Sequence, residues 1–257
     1  MAIMVALGAA SSLAAPINHG DFGPDFPPGV LMYLDVTESS GTDPLPPARF
    51  GTPTLTGNTL DFDPMEFVAS ATGGSLDITD VQLNFTLMSL PLTGITSLSI
   101  TEKGDFTLFG GGTALTQVAA GLSIFVDILE VDGVLLPTPL SVALSTSFTA
   151  NLVADGPAIV DPWQNTLFVD FGPALSMLPT PHKLGVSKAK IVIDDQLLAI
   201  SQVSSIAFIS KKDFTISTSV IIDPEFVIPE PSSITMMVMA LTGFATAFRR
   251  RLRRVRG

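Results

Sequence analysis

The sequence predicts an all-β fold, an antiparallel β-sandwich of jelly-roll or Ig-like kind, followed by a short C-terminal transmembrane helix. Three observations carry this. Apolar residues recur at every second position through much of residues 29–223, as expected of strands with one buried face. Turn signals rich in glycine, proline and asparagine separate those runs. No long amphipathic helical stretch comes between them, which favours a sandwich, with a barrel as the alternative. The 257 residues suit one domain of about 200 residues plus tails. With 46% hydrophobic and 14% charged residues, the chain is too apolar and too weakly charged to be disordered.

The N-terminus opens with an apolar segment, Ala2 to Ala10, followed by the small residues Ser12 and Ala14. Small residues three and one positions before a cut are what signal peptidase accepts, so cleavage is expected between Ala14 and Ala15. Residues 1–14 thus read as a signal peptide. It lacks a positively charged n-region, and a start upstream of Met1 is the expected explanation.

Residues 15–226 hold the predicted sandwich. Val81, Leu83, Phe85 and Leu87 alternate with Gln82, Asn84 and Thr86, and Ala189, Ile191 and Ile193 with Lys188, Lys190 and Val192. Leu140 to Leu152 carries the longest alternation, and Phe214, Ile216, Val220 and Ile222 repeat the pattern. Asp132-Gly133 between Val131 and Val134 signals a two-residue hairpin, and Gly57-Asn58 between Leu55 and Leu60 a second. Ile95 to Leu108 and Val203 to Ile216 align without a gap, sharing Ser97/Ser205, Lys103/Lys211, Asp105/Asp213, Phe106/Phe214 and Thr107/Thr215. Duplication and convergence are both open explanations. Each segment reads as a hairpin with its lysine at the bend.

Several chemistries are poorly served. With 0 cysteines there is no disulfide framework, thiolate metal site or cysteine nucleophile. The two histidines, His19 and His182, sit in Gly/Pro-rich stretches, and no Gly-x-Ser-x-Gly elbow positions a serine. No enzymatic activity is therefore expected, although the clusters Asp61/Asp63/Glu66 and Asp127/Glu130/Asp132 leave an extracellular hydrolase as a remote alternative. No cofactor is expected either. Calcium is the one considered, at Asp61 and Asp63, Glu130 and Asp132, or Asp194/Asp195, since it takes hard oxygen ligands from loops. Trp163, in Asp161-Pro162-Trp163-Gln164, is a candidate glycan contact, weighed against a role plugging one end of the core.

Charge is unevenly spread. Arg249, Arg250, Arg251, Arg253, Arg254 and Arg256 make up six of the 13 basic residues. Without them seven basic groups face 24 acidic ones, a net of −17, which would repel a nucleic-acid backbone. Before the arginines, Ile234 to Phe248 is a 15-residue stretch without charge. As a helix it would span about 22 Å against a hydrocarbon core of about 30 Å. By the positive-inside rule the arginines stay cytoplasmic and hold the precursor at the inner membrane.

Pro229-Glu230-Pro231, the apolar run and the arginine tail, in that order at the C-terminal end, resemble the PEP-CTERM sorting signal, here spanning residues 227–257. The resemblance implies recognition by a membrane-embedded exosortase, with cleavage near Pro229, Glu230 and Pro231. These are substrate residues, whose two prolines favour the extended backbone that fits a protease groove. It further implies export in a bacterium of Gram-negative type that makes exopolysaccharide. A rival motif, Leu90-Pro91-Leu92-Thr93-Gly94, matches the LPxTG sortase pentapeptide but lies mid-chain with no membrane segment after it, and reads as a turn. The expected function is an exported, exosortase-processed surface or matrix protein, structural or adhesive in an exopolysaccharide-rich envelope. A polysaccharide-binding module, with or without calcium, is the alternative.

Overall fold

The computed structural model describes residues 15–25, 29–42 and 47–223. The chain divides into two compact units, Met1–Ile222 and Asp223–Gly257, and the strands below all belong to the first. Twelve strands form: β1 (Ile17–Phe22), β2 (Leu31–Ser39), β3 (Thr54–Thr56), β4 (Thr59–Phe62), β5 (Val68–Thr72), β6 (Leu76–Ser89), β7 (Thr93–Gly110), β8 (Gln117–Val131), β9 (Val134–Asn151), β10 (Ala158–Asp170), β11 (Val186–Ile200) and β12 (Ser205–Ile222). A single helical turn, α1 (Gly172–Leu175), lies between β10 and β11.

Among the described residues every strand pairing is antiparallel, and the pairings fall into two layers. In one, the order is β1-β2-β6-β11-β8-β9. In the other, β10 and β12 flank β7, and the free side of β12 is shared by β5 and β4, with β3 outside β4. One residue pair, Val186↔Ile95, stitches β11 to β7 and joins the layers into a continuous, nearly closed sheet. The expected all-β sandwich is the fold. Its barrel-like alternative survives only in that single stitch.

Alternation fixes which side chains enter the core between the layers. On β6, Val81, Leu83, Phe85 and Leu87 are buried, and on β11 Ala189, Ile191, Ile193, Leu197 and Ala199 are. Phe50, Phe62, Phe67 and Phe214 gather at one place in the core, with ring centroids 4.6 Å apart for Phe50 and Phe214 and 5.4 Å for Phe50 and Phe67. Burying each such ring contributes roughly 1.5–3 kcal/mol. The segment Leu140 to Leu152 is regular but less buried than its pattern suggests. It belongs to the edge strand β9, where Leu144 is 41% exposed.

The hairpin dipeptides form the turns expected of them. Asp132 and Gly133 adopt φ of 51° and 76° between Val131 and its partner Val134. Both angles are positive, which asparagine, aspartate and glycine tolerate best. Gly57-Asn58 connects β3 to β4. Leu90-Pro91-Leu92-Thr93-Gly94 is the corner where the chain leaves β6 in one layer and enters β7 in the other. Leu92 has φ 65°, and the Thr93 N–H donates to the Leu90 carbonyl at 3.2 Å. Thr93 is buried, so the pentapeptide is a pinned turn.

One expectation is overturned. Ile95–Leu108 and Val203–Ile216 are not hairpins bent at their lysines. Ile95–Leu108 lies within the continuous 18-residue strand β7, all of the second segment from Ser205 onward lies within the 18-residue strand β12, and the two strands pair with each other. The lysine region is a bulge: register shifts between Lys211 and Asp213. An extra residue there moves the inward phase of β12 from odd positions (Ala207, Ile209, Lys211) to even ones (Phe214, Ile216, Thr218). A local cluster of polar residues mimics turn composition, but the flanking strand formers keep pairing through it.

Candidate functional site

The sorting residues Pro229, Glu230 and Pro231, the arginine tail, the apolar run before it, and Ala14 lie outside the described residues. Ala15 is described and exposed, just before β1. Among the described residues no helix is long and apolar enough to cross a membrane.

Two of the candidate calcium carboxylates, Asp132 and Glu130, have other engagements. Asp132 accepts the N–H groups of Leu184 and Gly185 at 2.8 Å each, and that of Lys183, so it fastens the β8–β9 turn to the segment entering β11. Burial acts to raise its pKa, but those three donors prevail and hold the carboxyl below its ordinary 3.8. Glu130 faces Lys188 at 3.8 Å. On β4, burial, Asp213 and Asp63 raise Asp61, while Lys103, ion-paired to Asp213 at 2.8 Å, lowers it. The chain thus supplies that acidic cluster with its own cation. Among the described residues no group of three or more His, Asp or Glu is placed to hold a metal ion.

The Asp132 anchor carries a prediction. Asp132→Ala removes a charged acceptor of three N–H groups and puts alanine at positive φ, and a loss of about 2 kcal/mol is expected. Because the folded carboxyl titrates below the unfolded one, its contribution is present above about pH 4 and fades as pH falls through the lower folded value. The melting-temperature gap between wild type and Asp132→Asn, followed from pH 6 to pH 2, should therefore narrow in acid.

Asp194 and Asp195 are adjacent on β11 and point to opposite faces, so they cannot form the paired ligand that their spacing suggests. Asp194 faces outward and accepts from Gln82 Nε2 at 2.7 Å. It lines a groove of about 710 Å³ across β6, β11 and β8, with Ser40, Asp80, Gln82, Ser123 and Gln196 around it. Those polar side chains share the lining with apolar surface, including Pro16 and Val81.

Asp195 turns inward, into a buried ionic cluster that no motif marked. Its carboxylate and that of Glu102 on β7 both contact the Lys211 ammonium on β12, and none of the three side chains is exposed. Lys211 Nζ lies 4.7 Å from the Phe67 ring centroid, 5.1 Å from Phe214 and 5.7 Å from Phe50. Asn165 Nδ2 donates to Glu102 Oε1 at 2.9 Å, and Thr146 Oγ1 donates to Asn165 Oδ1 at 2.8 Å. Burial pushes the Asp195 carboxyl up to about 7, with Lys211 opposing and Glu102 reinforcing. Asp195 Oδ1 is buried without a hydrogen-bond partner.

Trp163 stands beside this cluster on β10. Its ring is 4% exposed and stacks on Phe148 at 5.5 Å, and its Nε1 donates to the Ser210 carbonyl at 3.0 Å. The indole fills the core and presents no open face to a sugar. The backbone passes closely here: a Cβ on Gly104 would stand 1.8 Å from Ser210 O and 2.8 Å from Trp163 Nε1, so glycine is required.

Residues 227–254 match the family model of the PEP-CTERM protein-sorting motif. The chain thus carries a PEP-CTERM protein-sorting motif. That motif implies export, exosortase processing and association with the surface. No curated protein matches the chain. Among solved structures it is similar to TmCBM61 in complex with β-1,4-galactotriose, at 7% identity and TM-score 0.22, over 72% of this chain and 81% of that one. It is also similar to the VP2 subviral particle of infectious bursal disease virus, at 12% identity and TM-score 0.15, over 82% and 58%. Likenesses this loose decide neither ligand nor task.

Proposed function

We propose that the mature protein is a non-enzymatic β-sandwich of the cell surface or extracellular matrix, structural or adhesive in an exopolysaccharide-rich envelope. The PEP-CTERM motif behind an all-β body is the observation that carries this reading. Signal peptidase removes residues 1–14, the apolar run holds the precursor at the inner membrane, and exosortase cuts near Pro229, Glu230 and Pro231. What remains is acidic and has lost its membrane-holding segment. The engagement of Asp132 by a turn, Glu130 by Lys188 and Asp127 by Ser141 supports a structural role over hydrolysis.

Fractionation of the native host with mass mapping of both termini tests the scheme. The expected product is extracellular or surface-bound, starts near Ala15 and ends near Pro229 to Pro231. Full-length chain recovered from the cytoplasm would sink it.

The row of polar side chains in the groove, Gln82, Ser123, Asp194 and Gln196, favours a second reading, binding of polysaccharide without an aromatic platform. Pull-down on host exopolysaccharide, lost in Gln82→Ala with Asp194→Ala, is the result that reading expects; equal retention of wild type and variant on a neutral resin rejects it.

A further inference from the structure

The geometry points to a covalent cross-link: Lys211 Nζ and Asp195 Cγ join as an intramolecular amide between β12 and β11, with Glu102 carrying the proton. Three independent features converge on that pair. The amine and the carboxyl are in contact, both without exposure, and they come from strands of opposite layers. A second carboxylate, Glu102, touches the same nitrogen and is aimed by Asn165, itself held by Thr146. The phenyl rings of Phe50, Phe67 and Phe214 surround the ammonium, so the reacting groups sit in an apolar pocket.

These surroundings favour condensation over a permanent salt bridge. One ammonium with two ionised carboxylates leaves a net negative charge in the core, which a low-polarity interior resists. The site is relieved by taking up a proton, and burial already pushes Asp195 toward its acid form near neutral pH. Ammonium-carboxylate and amine-acid forms interconvert by moving a proton across an existing hydrogen bond. In the second form a neutral nucleophile faces a neutral, electrophilic carboxyl. Holding them in contact replaces a bimolecular encounter, an advantage equivalent to about 10⁵–10⁸ M in favourable cases.

The step balances without any outside reagent. Asp195 Oδ2 first takes one proton from the Lys211 ammonium across their contact, and the freed Nζ lone pair attacks Asp195 Cγ to form the Nζ–Cγ bond. Glu102 removes a second proton from Nζ, leaving it with one hydrogen, and delivers that proton to the departing Oδ2 hydroxyl. The Cγ–O bond breaks, and that oxygen leaves as water carrying two hydrogens. The products are one secondary amide, one water and regenerated Glu102. Asp195 is the acyl partner because Glu102 Oε1 is committed to Asn165, whereas Asp195 Oδ1 has no partner and becomes the amide oxygen. Reversal needs water that the packed core excludes. A chain with 0 cysteines would thereby gain a layer-to-layer staple that no reductant opens.

The test is mass spectrometry of the purified full chain, denatured, both whole and after proteolysis. The expected wild-type chain is lighter than its sequence by one water, and fragmentation finds the Lys211 peptide joined to the Asp195 peptide. Glu102→Gln keeps a neutral Lys211–Asp195 pair and is expected to fold, with the near-ultraviolet signal of buried Trp163 intact, yet to show the full mass. Lys211→Arg and Asp195→Ala should show the full mass too. Folded wild type at full mass overturns the proposal, as does a water loss that maps elsewhere. Folded Glu102→Gln linked as fully as wild type overturns the role given to Glu102. Should a variant fail to fold, the wild-type peptide map alone decides.

Discussion

Lys211→Met is expected to lower the melting temperature by about 6–20 °C, more than any surface substitution in this protein. The change keeps an unbranched apolar stem of similar length among Phe50, Phe67 and Phe214, so packing is nearly conserved. What it removes is the cation. Glu102 and Asp195 then share a dry site with no counter-charge, and both must bind protons to remain there. Breaking a buried pair from one side costs about 3–5 kcal/mol, and in a domain of this size each kcal/mol corresponds to about 2–4 °C. The variant's stability should also fall with rising pH, because the carboxyls hold protons in the folded state that they release on unfolding. A triple variant, Lys211→Met with Glu102→Gln and Asp195→Asn, should recover stability over Lys211→Met alone, since neutral groups no longer need a counter-ion. Thermal melts of the three proteins from pH 5 to pH 8 measure this. Equal melting points for wild type and Lys211→Met would mean that the cluster is not the buried ionic site described.

The legibility of the fold and of this cluster differ for one reason. Alternation is a local signal: Val81 to Leu87 and Ala189 to Ile193 declare a buried face within a few residues, and Asp132-Gly133 declares its own turn. The cluster is a long-range fact. Glu102, Asp195 and Lys211 lie on three strands, and no local motif marks them as partners. Two partial signals were present. Asp195 falls in phase with Ile191, Ile193 and Leu197, which places a carboxylate on the buried face. Lys211 follows Ala207 and Ile209 in the same phase, but the bulge behind it resembles a turn and hides the register. A charge that sits in phase with core residues on two strands is the pattern to look for. Trp163 was ambiguous for a related reason, because its Asp161-Pro162 prefix reads as a loop although the residues belong to β10. Pairing of Pro162 with Asp105 on one side of the strand needs no proline N–H.

The delivery signal makes the other large prediction, and two variants separate its parts. Replacing all six arginines of the tail by glutamine should release the precursor from the membrane with its C-terminus still attached. The apolar run of 15 residues falls short of the hydrocarbon thickness, so it holds weakly by itself. Each arginine near an anionic inner leaflet contributes about 1 kcal/mol, so six amount to about 6 kcal/mol, roughly a 10⁴-fold change in partition. A body with a net charge of −17 gains nothing from that surface, so on the proposed scheme retention rests with the tail. Changing Pro229, Glu230 and Pro231 to alanine leaves this electrostatic hold intact and removes the proposed cleavage motif. That precursor should accumulate in the membrane fraction uncut. The first variant is thus expected free and full-length, the second bound and full-length, and the wild type processed. Mass mapping of the two fractions reads all three outcomes. Normal processing of the glutamine variant would show that the arginines do not hold the chain, and normal processing of the alanine variant that the cut is directed from elsewhere.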